Sequence, residues 1–299
     1  MAVCDRVGRM GDAIRHVLIL GCGYVGERLA VACIRQGMQV SGTTRSAERA
    51  AELRAMGVQA VFAANPLDIA DAVLADVDAV VDSIPLNRSA SAAHAPQCEW
   101  LPLLAPKLTG LRWAGYLSTT GVYGDAGGAW VDESWPCDPQ SPRGLERLVA
   151  EECWLGAVAC AEVFRIAGIY GPGRNILDRL RAGGFRAVNW QPPRYSNRIH
   201  VDDIVGALMA AMQAPRAGRI VNLADDEPMP HAEYVTQLAR LIDAPQPILL
   251  TPEEGEAQLP PSVLEFFRDN KRVSNRLLHA ELLPELAYPG FRAGLASLH

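Results

Sequence analysis

The sequence predicts an α/β protein, a doubly wound parallel sheet with a smaller, mostly C-terminal second domain. Three features predict it. An apolar, β-type run opens directly into a glycine-rich turn and an amphipathic stretch within residues 16–30. Similar runs then alternate with helical stretches as far as residue 166, which implies parallel strands joined by right-handed crossovers. Past residue 166 the alternation thins into chain rich in Gly, Pro and Arg.

The first strand is His16-Val17-Leu18-Ile19-Leu20, and Gly21-Cys22-Gly23-Tyr24-Val25-Gly26 follows it without a gap. In such a G-x-G-x-x-G turn the first glycine permits the bend, the second admits a ligand close to the backbone, and the third lets the helix pack on the strand. Unpaired N–H groups and the positive end of the helix dipole then favour the pyrophosphate of a dinucleotide. Gly21, Gly23 and Gly26, with Tyr24 and Val25 between them, are therefore expected cofactor contacts, and the fold is of Rossmann type.

Gly37 ends that helix, and residues 38–43 read as the second strand. Residues 46–56 are helical, 58–63 form a third strand and 69–74 a short helix. Residues 79–84 are apolar except for Asp82 and Ser83, as befits a parallel strand buried on both faces. A helix over 96–108 and a strand over 113–118 follow. Ser141-Pro142 is a helix start, with a hydroxyl N-cap and Pro at the first helical position; that helix runs to about residue 155. A strand over 161–166, a helix over 202–213 and a late strand over 220–223 complete the pattern, and the chain after about residue 227 is helical and Pro-rich. The expected organisation is a flexible tail over 1–13, a nucleotide-binding domain over 14–166 to which 198–223 returns, and a covering region over 167–197 and 224–299.

Composition narrows the function. A net charge of −6 argues against nucleic acid or an anionic membrane as the main partner. The 28 basic residues are mostly Arg and are scattered without a run. Seven cysteines form no C-x-x-C pair and leave an odd one, so thiols in a reducing cytoplasm are expected rather than a disulfide framework or a metal site. No segment approaches the length of an apolar membrane span, and residues 1–14 lack the apolar core of a signal peptide. The expected location is cytoplasmic.

The end of the second strand speaks to the cofactor. NAD-preferring proteins place an Asp or Glu there for the ribose 2′-OH. Here the stretch is Val40-Ser41-Gly42-Thr43-Thr44-Arg45-Ser46. Hydroxyls and a guanidinium suit a 2′-phosphate instead, so NADP(H) is expected ahead of NAD, held by Thr44, Arg45 and Ser46. The plainer alternative is that Arg45 lies in a solvated surface loop.

Further along lie Ser118-Thr119-Thr120-Gly121-Val122-Tyr123-Gly124, Pro139-Gln140-Ser141-Pro142, Gly171-Pro172-Gly173 and Arg198-Ile199-His200-Val201-Asp202-Asp203. With the glycine motif, and over roughly residues 16–280, these resemble the extended short-chain dehydrogenase/reductases, which include nucleotide-sugar epimerases and dehydratases. Thr43-Thr44-Arg45-Ser46, Trp130-Val131-Asp132-Glu133 and Asn270-Lys271-Arg272-Val273-Ser274-Asn275 are similar to an atypical subgroup. The resemblance implies Ile84 and Ser118 beside the cofactor and a small-molecule substrate; a homodimer is the family habit. It also implies a catalytic Ser or Thr, a Tyr and a Lys, the last two spaced Y-x-x-x-K. Thr119 takes the first place. Arg143 stands where the Tyr belongs and Arg147 where the Lys belongs. An Arg with pKa above about 12 is a poor proton donor and no general base near neutrality, so the usual relay is absent.

Several readings follow for these side chains. Thr119 orients a substrate carbonyl or is one hydroxyl of a polar strand end. Arg143, Arg147 and Glu151 form a surface ladder at i,i+4 spacing, or Arg147 meets the cofactor and Arg143 an anionic substrate. Tyr123 and His200 are candidates for a displaced acid. Arg174 and Arg198 are candidate substrate contacts. The expected function is an NADP(H)-dependent oxidoreductase passing hydride to or from a small carbonyl or alcohol. The alternatives are a dinucleotide-binding sensor that has lost catalysis and an NAD-dependent nucleotide-sugar epimerase or dehydratase.

Overall fold

A computed structural model describes residues 13–85 and 95–298. The expected tail over 1–13 lies, up to residue 12, outside the described residues. The elements in chain order are β1 (His16–Leu20), α1 (Tyr24–Arg35), β2 (Gln39–Thr44), α2 (Ala47–Ala55), β3 (Gln59–Phe62), α3 (Asp71–Leu74), β4 (Ala79–Asp82) and α4 (Gln97–Leu104). Then come β5 (Trp113–Thr119), β6 (Trp130–Val131), α5 (Pro142–Ala157), β7 (Ala161–Ile166), β8 (Gly168–Tyr170), α6 (Leu177–Arg181), β9 (Arg186–Val188), β10 (Tyr195–Ser196) and β11 (Arg198–His200). The chain continues with α7 (Val201–Gln213), β12 (Ile220–Leu223), β13 (Met229–Pro230), α8 (His231–Leu241), β14 (Ile248–Leu250), α9 (Pro252–Gln258), α10 (Pro261–Phe266), β15 (Arg272–Val273), α11 (Arg276–Glu281) and α12 (Phe291–Leu295).

The chain divides into two compact units. Unit 1 comprises residues 1–119, 142–165 and 204–221, and unit 2 comprises 120–141, 166–203 and 222–299. The parallel seven-stranded sheet runs in the order β12-β7-β5-β4-β1-β2-β3, a Rossmann-type arrangement. Its strand order reverses where β1 lies between β2 and β4, and ligands of such sheets bind at the carboxyl ends of the strands there. The core of unit 1 packs Leu18, Leu20 and Val80 against Trp100, Leu101 and Trp154 from α4 and α5. Trp154 stacks on Tyr116, ring centroids 6.4 Å apart.

Two expectations change. Residues 120–141 and 198–203 group with the second unit rather than the nucleotide domain. The reason is pairing: β6 is parallel to β15, and β11 to β8. The six residues 270–275 hold this unit together. Asn270 accepts from Ala126 N–H at 3.1 Å and Gly128 N–H at 2.8 Å through its carbonyl, Lys271 Nζ donates to Gly124 O at 2.8 Å, and Arg272 Nε donates to Gly128 O at 2.9 Å.

The second change concerns the cysteines. Cys98 of α4 and Cys153 of α5 form a disulfide, whereas thiols throughout were expected. The two residues are 55 apart in sequence and become neighbours only because α4 and α5 pack side by side. Cys22, Cys33, Cys137 and Cys160 are not disulfide-bonded. No helix among the described residues is long and apolar enough to cross a membrane. No group of three or more His, Cys, Asp or Glu among them could hold a metal ion.

Candidate dinucleotide site

The site of unit 1 is built on the turn after β1. Gly21 adopts φ +73°, and a Cβ there would lie 2.9 Å from Ile84 Cα and 3.1 Å from Ser83 O. Glycine alone lets the turn rest against the chain leaving β4. Gly21 N–H donates to Thr43 Oγ1 at 2.8 Å and Cys22 N–H to Thr43 O at 2.9 Å, which fastens the turn to the end of β2. At Gly26 a Cβ would meet Ile19 Cγ2 at 3.0 Å, so this glycine sets the helix-to-strand distance. At Gly23 nothing but Gly21 O lies within 4 Å, at 3.9 Å. That opening is where a pyrophosphate can approach backbone N–H groups, so the residues present fit a dinucleotide. Burial pushes the Cys22 thiol up to about 12, which leaves it a packing group. Val25 is buried, and Tyr24 lies under the Arg28 guanidinium, 3.9 Å from ring centroid to Cζ.

The opposite wall is held by Asp82 and Arg147. Asp82, fully buried at the end of β4, accepts from Ile84 N–H at 2.9 Å, Trp154 Nε1 at 2.9 Å and Gln97 Nε2 at 3.1 Å. Burial raises its pKa, while those hydrogen bonds and the Arg147 charge draw it back. Arg147 Nη1 donates to the Tyr116 hydroxyl at 2.9 Å and to Leu117 O at 3.0 Å, and Nη2 reaches Ile84 O at 3.5 Å. The guanidinium therefore ties the chain ends of β4 and β5 together. Ile84 is gripped at its N–H by Asp82 and at its carbonyl by Arg147.

One turn after Arg147, Glu151 is buried and bonded to Arg165, not to Arg147. The surface ladder at i,i+4 spacing is thus not what α5 forms; the helix turns Arg147 and Glu151 toward the sheet. Glu151 also accepts from Ser118 Oγ. Thr119 ends β5 and is half-buried, and Arg143 is exposed at the start of α5. At the end of β2, Thr44 Oγ1 accepts from Ser46 N–H at 3.2 Å and Ser46 Oγ caps α2 by accepting from Arg49 N–H at 3.2 Å. Arg45 is exposed beside them.

The remaining candidates belong to unit 2. Tyr123 is fully buried, and its hydroxyl donates to Asn222 Oδ1 at 2.7 Å. His200 is fully buried, with Nε2 2.8 Å from Ser297 Oγ and its ring 3.8 Å from that of Tyr288. Arg198 is buried, donates to Ser196 Oγ at 2.6 Å and Glu227 O at 3.1 Å, and lies 4.0 Å from the Tyr234 ring centroid. Burial pushes Asp225 up to about 7 against the pull of Arg198. Burial, with help from Arg198, takes His231 down to about 4. Arg174 is exposed, and its backbone bridges Gly171 through two 3.0 Å hydrogen bonds.

Sequence reasoning passed over Asp82, Glu151 and Arg165 as site builders. Two signals were present. A carboxylate interrupts an apolar parallel strand at Asp82, and a guanidinium does so at Arg165; a buried charge demands a partner.

This fold and cradle define a Rossmann-type nucleotide-binding protein. No protein-family model matches the chain. It is 30% identical over 251 residues to Protein YeeZ of Escherichia coli K12, covering 78% of this chain and 86% of that protein. A solved structure of a functionally unknown conserved protein from Silicibacter pomeroyi superposes with a TM-score of 0.86 at 35% identity, over 95% of this chain and 98% of the other. A 3-diazoavenalumate denitrifying reductase of Streptomyces is 31% identical over 153 residues, 48% of this chain and 46% of that protein. The chain belongs to the atypical extended short-chain dehydrogenase/reductases, a family of enzymes that use a nicotinamide dinucleotide and act as oxidoreductases or in epimerase-like reactions.

Proposed function

We propose that this protein is an NADP(H)-dependent oxidoreductase that passes hydride between the nicotinamide and a small carbonyl or alcohol. The observation that carries the cofactor half is the end of β2, where Thr44, Arg45 and Ser46 stand and no carboxylate does. Solved structures of the same fold below 25% identity carry NAD, which makes the choice between the two dinucleotides the decisive measurement. The 31% identity with a reductase supports hydride transfer over epimerisation.

The nicotinamide, when bound, supplies or accepts the hydride. Thr119 at the end of β5 orients the reacting oxygen. Arg147 takes the place of the family's Lys but serves chiefly to fix Leu117 and Ile84, the backbone that borders the cofactor. Tyr123 and His200 are buried with their polar atoms engaged, so water provides the proton. The commitment of Arg147 to backbone carbonyls also favours a second reading, a dinucleotide sensor without turnover.

Calorimetry with NADPH and NADH tests the cofactor. Hydrogen bonds to a charged group are worth about 1.5–3 kcal/mol, so NADPH should bind about 10- to 150-fold more tightly. Equal or tighter binding of NADH overturns the assignment. NADPH oxidation over a broad panel of carbonyls, and NADP reduction over a panel of alcohols, tests catalysis, and tight binding with no turnover favours the sensor reading. With a substrate found, Arg143→Ala, Tyr123→Phe and His200→Asn should each retain near wild-type kcat. A fall of about 10²–10⁴, the usual cost of removing a general acid, with a shifted pH profile and an unchanged melting temperature, identifies Tyr123 or His200 as the proton donor instead of water; the same fall confined to Arg143→Ala overturns this reading.

A further inference from the structure

We infer that Arg49, restrained by Glu27 and Glu52, sets how strongly this protein discriminates a 2′-phosphate from a 2′-hydroxyl. This rests on the placement of the adenosine end of the cofactor in the reading above. A shallow depression beside the end of β2 is lined by Thr44, Arg45, Ser46, Glu48, Arg49 and Glu52. Arg45 is the exposed cation of this wall, and Arg49, on the first turn of α2, is the half-buried one. The two ends of the Arg49 fork are already taken: Nη2 meets Glu27 Oε1 and Nη1 meets Glu52 Oε2.

Glu27 immediately follows Gly26, so this ion network joins the first turn of the glycine-motif helix to α2. The depression thus sets two guanidinium groups, Arg45 and Arg49, among the carboxylates Glu48 and Glu52, with Glu27 reaching Arg49 from α1. A ribose hydroxyl, being neutral, is little affected by these charges. A phosphate dianion must either draw Arg49 away from Glu27 or settle beside a like charge. Holding Arg49 in place spares some side-chain entropy on binding. In a partly screened site, however, a dianion beside a carboxylate loses more than that saving gives. Glu27 therefore restrains NADP(H) binding, and Arg49 supplies it.

The measured quantity is the ratio of NADH to NADPH dissociation constants for the full-length protein, by calorimetry, with adenosine 2′,5′-bisphosphate as a second probe. Glu27→Gln and Glu52→Gln should each raise the ratio, Glu27→Gln by about fivefold, the scale of one partly exposed ion pair. Arg49→Ala should lower it by tenfold or more, as expected for loss of a charge-assisted contact, and weaken the bisphosphate likewise. Thermal melting of each variant reports folding, and a change shared equally by both dinucleotides cancels from the ratio. An unchanged ratio in Arg49→Ala, or an unchanged or lowered ratio in Glu27→Gln, overturns the inference. Wild-type preference for NADH refutes the NADP(H) reading alone, because the shifts in ratio are defined whichever dinucleotide the wild type prefers.

Discussion

Arg165 grips Glu151 inside unit 1 through Nη2–Oε2 at 2.8 Å, with Nε 3.2 Å from both carboxylate oxygens. Both side chains are almost wholly buried, at 5% and 2% exposure, so each charge depends on the other. The pair joins β7 to α5, and through Ser118 Oγ it reaches the end of β5.

Arg165→Met should therefore be severely destabilising, because it strands a buried carboxylate. A cost of about 3–5 kcal/mol is expected. Replacing both partners, Arg165→Met with Glu151→Leu, should recover much of that loss, since a well-packed apolar pair is tolerated where a lone charge is not. Urea denaturation of the single and double variants checks this. A double variant less stable than Arg165→Met would refute the stranded-charge explanation.

Gly21 and Gly37 make a controlled comparison. Both hold positive φ, at +73° and +80°. An added Cβ would meet Ile84 Cα at 2.9 Å at the first and nothing within 4 Å at the second. Gly37→Ala should cost only the left-handed conformation, about 1–2 kcal/mol. Gly21→Ala should cost more than Gly37→Ala and also weaken dinucleotide binding, because the turn must move off the end of β4. Denaturation and calorimetry on both variants decide it, and equal costs with unchanged binding would contradict the packing described.

Asp225 gives a pH dependence of definite sign. Its folded-state pKa is about 7 through burial, against an ordinary value near 3.9 when unfolded. A carboxyl whose pKa is raised on folding holds its proton more tightly in the folded state. Its relative contribution to stability is therefore present below about pH 4 and lost as pH rises through about 7. Asp225→Asn removes the titration while keeping an acceptor for Glu227 N–H, which Asp225 Oδ1 now receives at 3.2 Å. The stability of the variant relative to wild type should climb between pH 4 and 7 and then level off. A flat difference across that range rules the assignment out.

The sequence by itself determined the sheet. Strand-turn-helix at residues 16–30, the alternation to residue 166 and the helix start at Ser141-Pro142 are local signals. The structure places α5 at Pro142–Ala157 and β7 at Ala161–Ile166. The role of Gly26 is similarly local, since its contact with Ile19 of the preceding strand follows from the motif, whereas the close approach of Gly21 to Ile84 comes from β4 pairing beside β1. Only the tertiary structure decided which charges meet. Nothing in the spacing of Arg147 and Glu151 says that the helix face they share looks inward, or that Glu151 answers Arg165 on a strand. Likewise Cys98 and Cys153, Lys271 and Gly124, and Arg49 and Glu27 are brought together by elements that pack across long stretches of chain. Periodicity reports which residues are buried; a partner far along the chain is chosen by crossover and packing, and those belong to the whole fold.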